Sequence, residues 1–482
     1  MSTNHWFFIL LIGIGVVLTA GCTQPAPETQ VVPETASVTM TVPVQTLTGS
    51  DAVTSQKIDN YMTALTDAGR FSGTVFVARG DTVLLSKGYG MANYEFSVPN
   101  TPQTVMPIAS NTKQLTAAAI MKLQEQGRLN ITDPVTQYIP DSTNWKDIRI
   151  YQLLNHTAGI QSDGAFSLTD RTDLTLPETM MRITALPLTF EPGTSYGYSN
   201  NGYITLSYLV EKASGMSYEE YMKTNLFLPL GMNRTGQDNA RDVFSNRASG
   251  YTTFDGNYIH YDLQNIHNTW GAGSIHSTTE DLFRWVHAFH TSEIILSKQS
   301  RMTMIENHYG IDSGKIMNHT YIGHTGRNFG FISQTLYFPD ENVSIIFLTN
   351  YDRTPVVTLV NDLPAIVFNE SYSLPQKIDH KAVPITAGAI TEYTGTYAPA
   401  WERSWAITLY SEGDRLFYDS VMPGDRKVEL FYIGNDTFFI TPESNDAFIF
   451  TRDISGKING LKMYTMDGSY DESERVSWRT DR

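Results

Sequence analysis

The chain is nearly devoid of cysteine: its 482 residues hold one, Cys22. Whatever folds beyond that point does so without a disulfide, a thiol nucleophile or a cysteine metal site. Basic clusters are missing too. Lys and Arg number 34 against 50 Asp and Glu, a net charge of −16, with no basic stripe or arm, and this excludes nucleic acid as a partner. There is no HExxH, no Walker loop and no Rossmann fingerprint, so neither a metal nor any other cofactor is expected. His287 and His290 share a helix face but lack further ligands for zinc. Long apolar runs are also scarce. The one that exists, Trp6 to Ala20, falls short of the ~20 residues that cross a bilayer and fits the hydrophobic region of a signal peptide.

What is present gives the chain an order. Ala20-Gly21 before Cys22 resembles a bacterial lipobox, which implies an exported, extracytoplasmic protein tethered to the membrane through a lipidated Cys22. Residues 1–22 then form the signal and 23–50, rich in Pro and Thr, an extended tether. A folded region spans 51–372. Residues 373–390, with Pro375 and Pro384, form a linker, and 391–482 an all-β domain of short aromatic strands from "YTGTYAP" to "LKMYTMDG".

Within 51–372, Ile58, Tyr61, Met62 and Leu65 mark one face of a helix. "FSGTVFVARGDTVLLSKGYG" reads as a hairpin turning at Arg79-Gly80-Asp81. A helix opened by Ser110 follows and stops near Gly127. Residues 148–310 are mostly helix and loop, with capping boxes at Ser217/Glu220 and Ser277/Glu280. "FISQTLYFPDENVSIIFLTN" is a second hairpin, and a last helix covers roughly 354–369. With strands at both ends and helices between, the expected class is α+β: one antiparallel sheet flanked by terminal helices, with a helical lobe inserted and a small C-terminal β-barrel. The active cleft is expected between sheet and lobe.

The chemistry-bearing stretch is "PIASNTKQLTAAAIMKL". Ser110 and Lys113, three apart, share a helix face. A serine at a helix start also has an outward N–H, so one residue offers both a nucleophile and an oxyanion donor. Lys113 must lose its proton to act as a base, which needs burial or a neighbour that lowers its pKa.

Two further stretches make the pattern specific: "FEPGTSYGYSNNGY", with Tyr198, Ser199 and Asn200, and "YIGHTGRNFGF", with His324, Thr325 and Gly326. Ser-x-x-Lys, Tyr-x-Asn and His-Thr-Gly in this order resemble the serine β-lactamase and penicillin-binding superfamily. The Tyr-x-Asn form is similar to class C β-lactamases, D-alanyl-D-alanine carboxypeptidases and related esterases and D-amino-acid peptidases. "LLNHTAGI" and "GAGSIHSTTEDLFRW" support it, and the C-terminal strands resemble a lipocalin-like barrel. The resemblance implies that Ser110 forms an acyl-enzyme. Lys113 and Tyr198 would share the base work, one keeping the other's pKa low. Asn200 would orient Lys113 and bind the substrate amide. The N–H groups of Ser110 and Arg327 would form the oxyanion hole, with His324, Thr325 and Gly326 completing the wall.

His324 stands where lactamases carry lysine. A histidine of ordinary pKa is mostly neutral at pH 7, so the fixed cation for a substrate carboxylate is missing unless Arg327 supplies it. The expected activity is hydrolysis of amide or ester bonds in amino-acid or peptide-type substrates, by a peptidase or esterase more than a dedicated β-lactamase. Two other readings stay open: a non-catalytic penicillin-fold binding protein, and an acyltransferase with an amine acceptor. Expected partners are a small-molecule or peptide substrate and the membrane, through the N-terminal lipid or anchor.

Overall fold

The computed structural model describes residues 46–140, 142–167, 172–239, 242–254, 257–261, 265–377, 380–399, 406–419, 427–440, 447–464 and 470–476. Cys22, the signal and most of the tether lie outside them.

Six strands form the main sheet: β1 (Gly73–Arg79), β2 (Thr82–Tyr89), β3 (Asp312–Ile316), β4 (His319–Asn328), β5 (Phe331–Phe338) and β6 (Val343–Thr349). Their order is β3-β4-β5-β6-β1-β2, every pair antiparallel. The two hairpins are thus joined through β1 and β6, in register from Gly73↔Thr349 to Arg79↔Val343. Side chains alternate across the sheet. Val75 and Val77 enter one apolar cluster with Ile345 and Phe347, while Phe76, Ile346 and Leu348 enter another. With both faces covered, β6 reads as an unbroken apolar run.

Helices α1 (Gly49–Asp67) and α5 (Val356–Phe368) cover the first face. Ile58, Met62 and Leu65 of α1 pack there with Leu359, Leu363 and Ile366 of α5. The Tyr61 hydroxyl donates to Asp362 at 2.7 Å, tying the two helices together. The second face carries α2 (Thr112–Glu125), α3 (Asn200–Ser214), α4 (Thr279–Thr291) and the rest of the inserted lobe. Thr112 to Met121 is buried without a break, as befits a helix enclosed on all sides.

Several elements differ from expectation in detail. Ser110 does not open α2; it sits in a 3-10 turn, Ala109–Asn111, and the α-helix begins at Thr112. The cap of α4 is Thr278, whose hydroxyl accepts the Asp281 N–H, while Ser277 pairs with the Thr235 hydroxyl at 2.8 Å. The His-Thr-Gly stretch lies on a ten-residue strand. The lobe also contains a small sheet of Met106–Pro107, Ile275–Ser277 and Gly236–Gln237. Pieces of two or three residues carry no readable period. This sheet nonetheless matters, because Ile108 N–H donates to the Ile275 carbonyl (2.9 Å) and holds the entry to the Ser110 turn.

The C-terminal region is a closed barrel of eight antiparallel strands: β7 (Gly395–Pro399), β8 (Ile407–Glu412), β9 (Arg415–Asp419), β10 (Lys427–Gly434), β11 (Thr437–Phe439), β12 (Ala447–Arg452), β13 (Ile458–Tyr464) and β14 (Tyr470–Val476). β7 pairs with β14 and removes both edges. Tyr397, Leu416, Phe438 and Phe450 fill the interior, and Ile390 and Tyr393 pack in from the preceding turn. β14, "YDESERV", goes unnoticed by an aromatic criterion: Glu472 and Glu474 face solvent and the buried residue between them is Ser473.

Candidate active site

The Ser110 turn is entered through Ala109 at φ +46°. That conformation costs an alanine on the order of 1–3 kcal/mol and persists only where the surroundings fix it. A buried polar network does so. Asn111 Nδ2 donates to Ser333 Oγ (2.7 Å), which donates to the Ile108 carbonyl (2.6 Å). Asn111 Oδ1 accepts from Gln114 Nε2 (2.7 Å) and Thr335 Oγ1 (3.0 Å), and Trp285 Nε1 donates to Gln114 Oε1 (2.8 Å). Such a network, with its members satisfied, permits one arrangement. Gly326 completes the join. A Cβ there would lie 2.2 Å from the Ile108 oxygen, 2.5 Å from Ser333 Oγ and 3.0 Å from Ser110 N, so only glycine lets β4 lie against the turn.

Lys113 stands one turn along, fully buried. Its Nζ lies 3.2 Å from Ser110 Oγ, 2.9 Å from Asn200 Oδ1 and 2.8 Å from the Ala272 carbonyl. The last two can only accept. A neutral amine has two N–H donors and one lone pair. Both donors are taken, and the lone pair is left facing the Ser110 hydroxyl. Burial pulls the Lys113 pKa down to about 7, against an upward pull from Asp163.

Tyr198 donates its hydroxyl to Ser110 Oγ at 2.9 Å. Its pKa moves the other way, up to about 12, first through loss of water, then through the carboxylates of Asp312 and Asp163, with the Ser110 bond opposing. Only Lys113 is therefore poised to lose its proton near neutral pH; the phenol keeps its own. Its ring is held by His156, 4.6 Å away between centroids. His156 Nδ1 accepts the Ser199 N–H (3.1 Å), and its pKa falls to about 3, mainly by burial. A neutral imidazole is thus a fixed part of the scaffold. Ser199 caps α3 by accepting the Gly202 N–H (2.9 Å), which sets Asn200 as the first helical residue.

Along β4 the alternation places His324 and Gly326 on the buried side and Thr325 and Arg327 on the open side. His324 is lowered from its ordinary pKa, chiefly by burial, although Asp312 opposes this. It is uncharged at neutral pH. Thr325 Oγ1 reaches the Ser333 carbonyl at 3.4 Å. Ser110, Asn200, Asp163, Ala272 and Arg327 line one cavity of about 140 Å³.

The structure thus brings Ser110, Lys113, Tyr198 and Asn200 into one hydrogen-bonded group, with Gly326 against the Ser110 turn and Arg327 lining the same cavity. Two contributors carry no signal by residue type or spacing: Asp163 and the Asn111–Ser333 join. His156 lies within the conspicuous "LLNHTAGI" stretch and Ala272 within "GAGSIHSTTEDLFRW". Among the described residues no group of His, Cys, Asp or Glu could hold a metal ion, and no helix is long and apolar enough to cross a membrane.

The chain has relatives among known proteins. A family model described as Beta-lactamase matches residues 55–365, and the chain belongs to that family. It is 28% identical over 410 residues to penicillin-binding protein 4* of Bacillus subtilis, covering 77% of this chain and 88% of that protein. The octameric penicillin-binding protein homologue of Pyrococcus abyssi superposes with a TM-score of 0.58 at 21% identity, over 87% of this chain and 98% of that one. D-amino acid amidase of Ochrobactrum anthropi, solved with L-phenylalanine amide, gives 0.59 at 20% identity, over 65% and 99%. At these identities the structural likeness is one of fold. Family and fold are of the serine-hydrolase type.

Proposed function

We propose that this chain is an exported serine hydrolase that cleaves amide or ester bonds of amino-acid or peptide-type substrates through an acyl-enzyme on Ser110. The observation that carries the reading is the saturation of Lys113 by Asn200 Oδ1 and the Ala272 carbonyl, which turns a lone pair toward Ser110. In the reaction, Lys113 takes the Ser110 proton as Oγ attacks the carbonyl carbon. The N–H groups of Ser110 and Arg327 hold the resulting oxyanion, and one such donor is worth ~2.7–4 kcal/mol in the transition state. Tyr198 gives its proton to the leaving amine or alkoxide and recovers one from Lys113. Water then attacks the acyl carbon while the same groups take and return a proton, freeing Ser110. Asn200 and Thr325 border the substrate.

The penicillin-binding relatives and the amidase likeness support the substrate class. The neutral His324 favours a peptidase or esterase over a dedicated β-lactamase, and low turnover of penicillins and cephalosporins is expected; a high turnover number would sink that part. Export and tethering through Cys22 rest on the N-terminal sequence. Cys22→Ala should move the protein from the membrane to the soluble fraction; unchanged fractionation would contradict tethering by this residue.

The direct test of the hydrolase reading is p-nitrophenol release from a short p-nitrophenyl ester. The wild type should show a burst equal to the enzyme concentration, and Ser110→Ala none. Equal, burst-free traces would favour a binding protein that has kept the pocket.

A further inference from the structure

The Ala272 carbonyl takes one hydrogen of Lys113, and the chain bends sharply to present it. Two residues earlier, Trp270 sits at φ +42° and ψ −131°. Few residues other than glycine adopt that conformation, and it persists only where the surroundings fix it. The bend closes through the Trp270 carbonyl, which accepts the Ser274 N–H (2.9 Å) and the Gly273 N–H (3.1 Å). The indole lies against His267, with 4.6 Å between ring centroids.

Both backbone groups of the intervening Gly271 are held. Ser207 Oγ accepts its N–H (2.7 Å) and donates to the Tyr203 carbonyl (3.2 Å). Thr116 Oγ1 donates to its carbonyl (2.8 Å), the nearer of two in reach, that of Thr112 lying at 3.2 Å. Thr116 then accepts from the Tyr218 hydroxyl (2.8 Å), a phenol that keeps its proton because burial raises its pKa. Thr116 and Ser207 are fully buried. A Cβ on Gly271 would come within 2.5 Å of Ser207 Oγ and 2.8 Å of Thr116 Oγ1, so only glycine admits both hydroxyls. Thr116 lies one turn beyond Lys113 on α2, and Ser207 two turns beyond Asn200 on α3. Those spacings put each pair on one helix face. The faces that carry the base and its amide partner therefore also clamp the strained bend.

We propose that Thr116 and Ser207 are positioning residues of the catalytic centre: by pinning Gly271 they keep the Ala272 carbonyl on Lys113 and so aim its lone pair at Ser110. This rests on the serine-hydrolase reading. With either pin gone, an orphaned Gly271 group and the strain at Trp270 both favour turning the bend, and the carbonyl leaves the amine. Two consequences follow for Lys113. With a hydrogen released the amine can swing, and its lone pair no longer faces the hydroxyl. The ammonium form also loses more than the amine, because a hydrogen bond from a charged donor is about twice as strong, so the base titrates at lower pH. The titratable groups that the described residues place around Lys113 are Tyr198, Tyr203, His156, His324 and Asp163. None of them is altered by a change at Thr116 or Ser207.

The test follows the p-nitrophenol burst on a neutral ester against pH, in the full chain, for the wild type, Thr116→Val, Ser207→Ala and Thr116→Ser. Burst amplitude counts active sites, so a misfolded chain loses amplitude and a misplaced base loses rate. Thr116→Val and Ser207→Ala should each lower the plateau rate constant by roughly 10- to 100-fold, the scale of a misplacement of about 1 Å. Both should also move the half-maximal pH below that of the wild type, which a merely structural role would not do. Thr116→Ser keeps the hydroxyl and should restore rate and midpoint together. Three results would overturn the proposal: a wild-type rate constant and midpoint in Thr116→Val or Ser207→Ala, whatever the amplitude; a slower burst with an unmoved midpoint; or a Thr116→Ser chain as impaired as Thr116→Val. Absence of a burst in the wild type would instead sink the hydrolase reading, and this proposal with it.

Discussion

At the scale of single residues, the site works by contrast between two neighbours of one oxygen. Lys113, fully buried, is driven toward its neutral form, and Tyr198, although 39% exposed, away from its ionised one, both mainly through loss of water around the charge. The resemblance implies that the two share the base work, one keeping the other's pKa low; here the two shifts run in opposite directions. Tyr198→Phe should therefore cut kcat by ~10²–10⁴ with a smaller change in KM, as expected for loss of a proton donor; an unchanged kcat would remove Tyr198 from the mechanism. Lys113 also makes a stability prediction. Its ordinary pKa is 10.5 and its folded value about 7. Between those values the unfolded chain holds the proton and the folded chain does not, so stability rises with pH across that window and is insensitive to this group below it. Measured by Tm, wild type should gain on Lys113→Met from about pH 7 to about pH 10. A constant difference would contradict a depressed Lys113. Ser110, Lys113, Tyr198 and Asn200 are legible in the sequence because the motifs preserve their types and order. Asp163 is not, since a lone aspartate in a loop is indistinguishable from solvated charge.

Elements bring these residues together, and their joins are less legible than the elements. Helix α1 announces itself through Ile58, Tyr61, Met62 and Leu65, and both hairpins through turn residues between apolar runs. The buried network does not. Asn111 and Ser333 are 222 residues apart, and neither position has a local property that foretells the contact. Gly326→Ala tests the join of β4 to the Ser110 turn. With a Cβ 2.2 Å from the Ile108 oxygen, strand or turn must move, and ester hydrolysis should fall by about 100-fold, the scale of a 1 Å misplacement. Unaltered kinetics would show that the contact does not position Ser110. Ser333→Ala should leave Asn111 Nδ2 unsatisfied and cost about 1–3 kcal/mol in chemical denaturation.

At the scale of the whole molecule, the described residues form three apolar clusters. Two lie on the faces of the main sheet and one fills the barrel, and the barrel cluster shares no residue with the others. Barrel unfolding should accordingly appear as its own calorimetric transition. Tyr397→Ala, deep in the barrel, should lower that transition by the equivalent of ~3–5 kcal/mol and leave ester hydrolysis intact. One transition that moves as a unit would show that barrel and catalytic region fold together. Strands at both ends of the catalytic region, with helices between them, make the sheet-plus-lobe arrangement readable. The closing strand β14 is not, because its exposed face is acidic and its buried residue is a serine.

The central claim is that a neutral Lys113 deprotonates Ser110. The measurement that bears on it most directly is the rate constant of the p-nitrophenol burst as a function of pH, with a neutral ester so that only the enzyme titrates. The rate should climb with pH, reach half its maximum near pH 7, hold a plateau above that, and vanish in Ser110→Ala. A burst rate independent of pH across that range, or one that persists without the serine, would contradict the account.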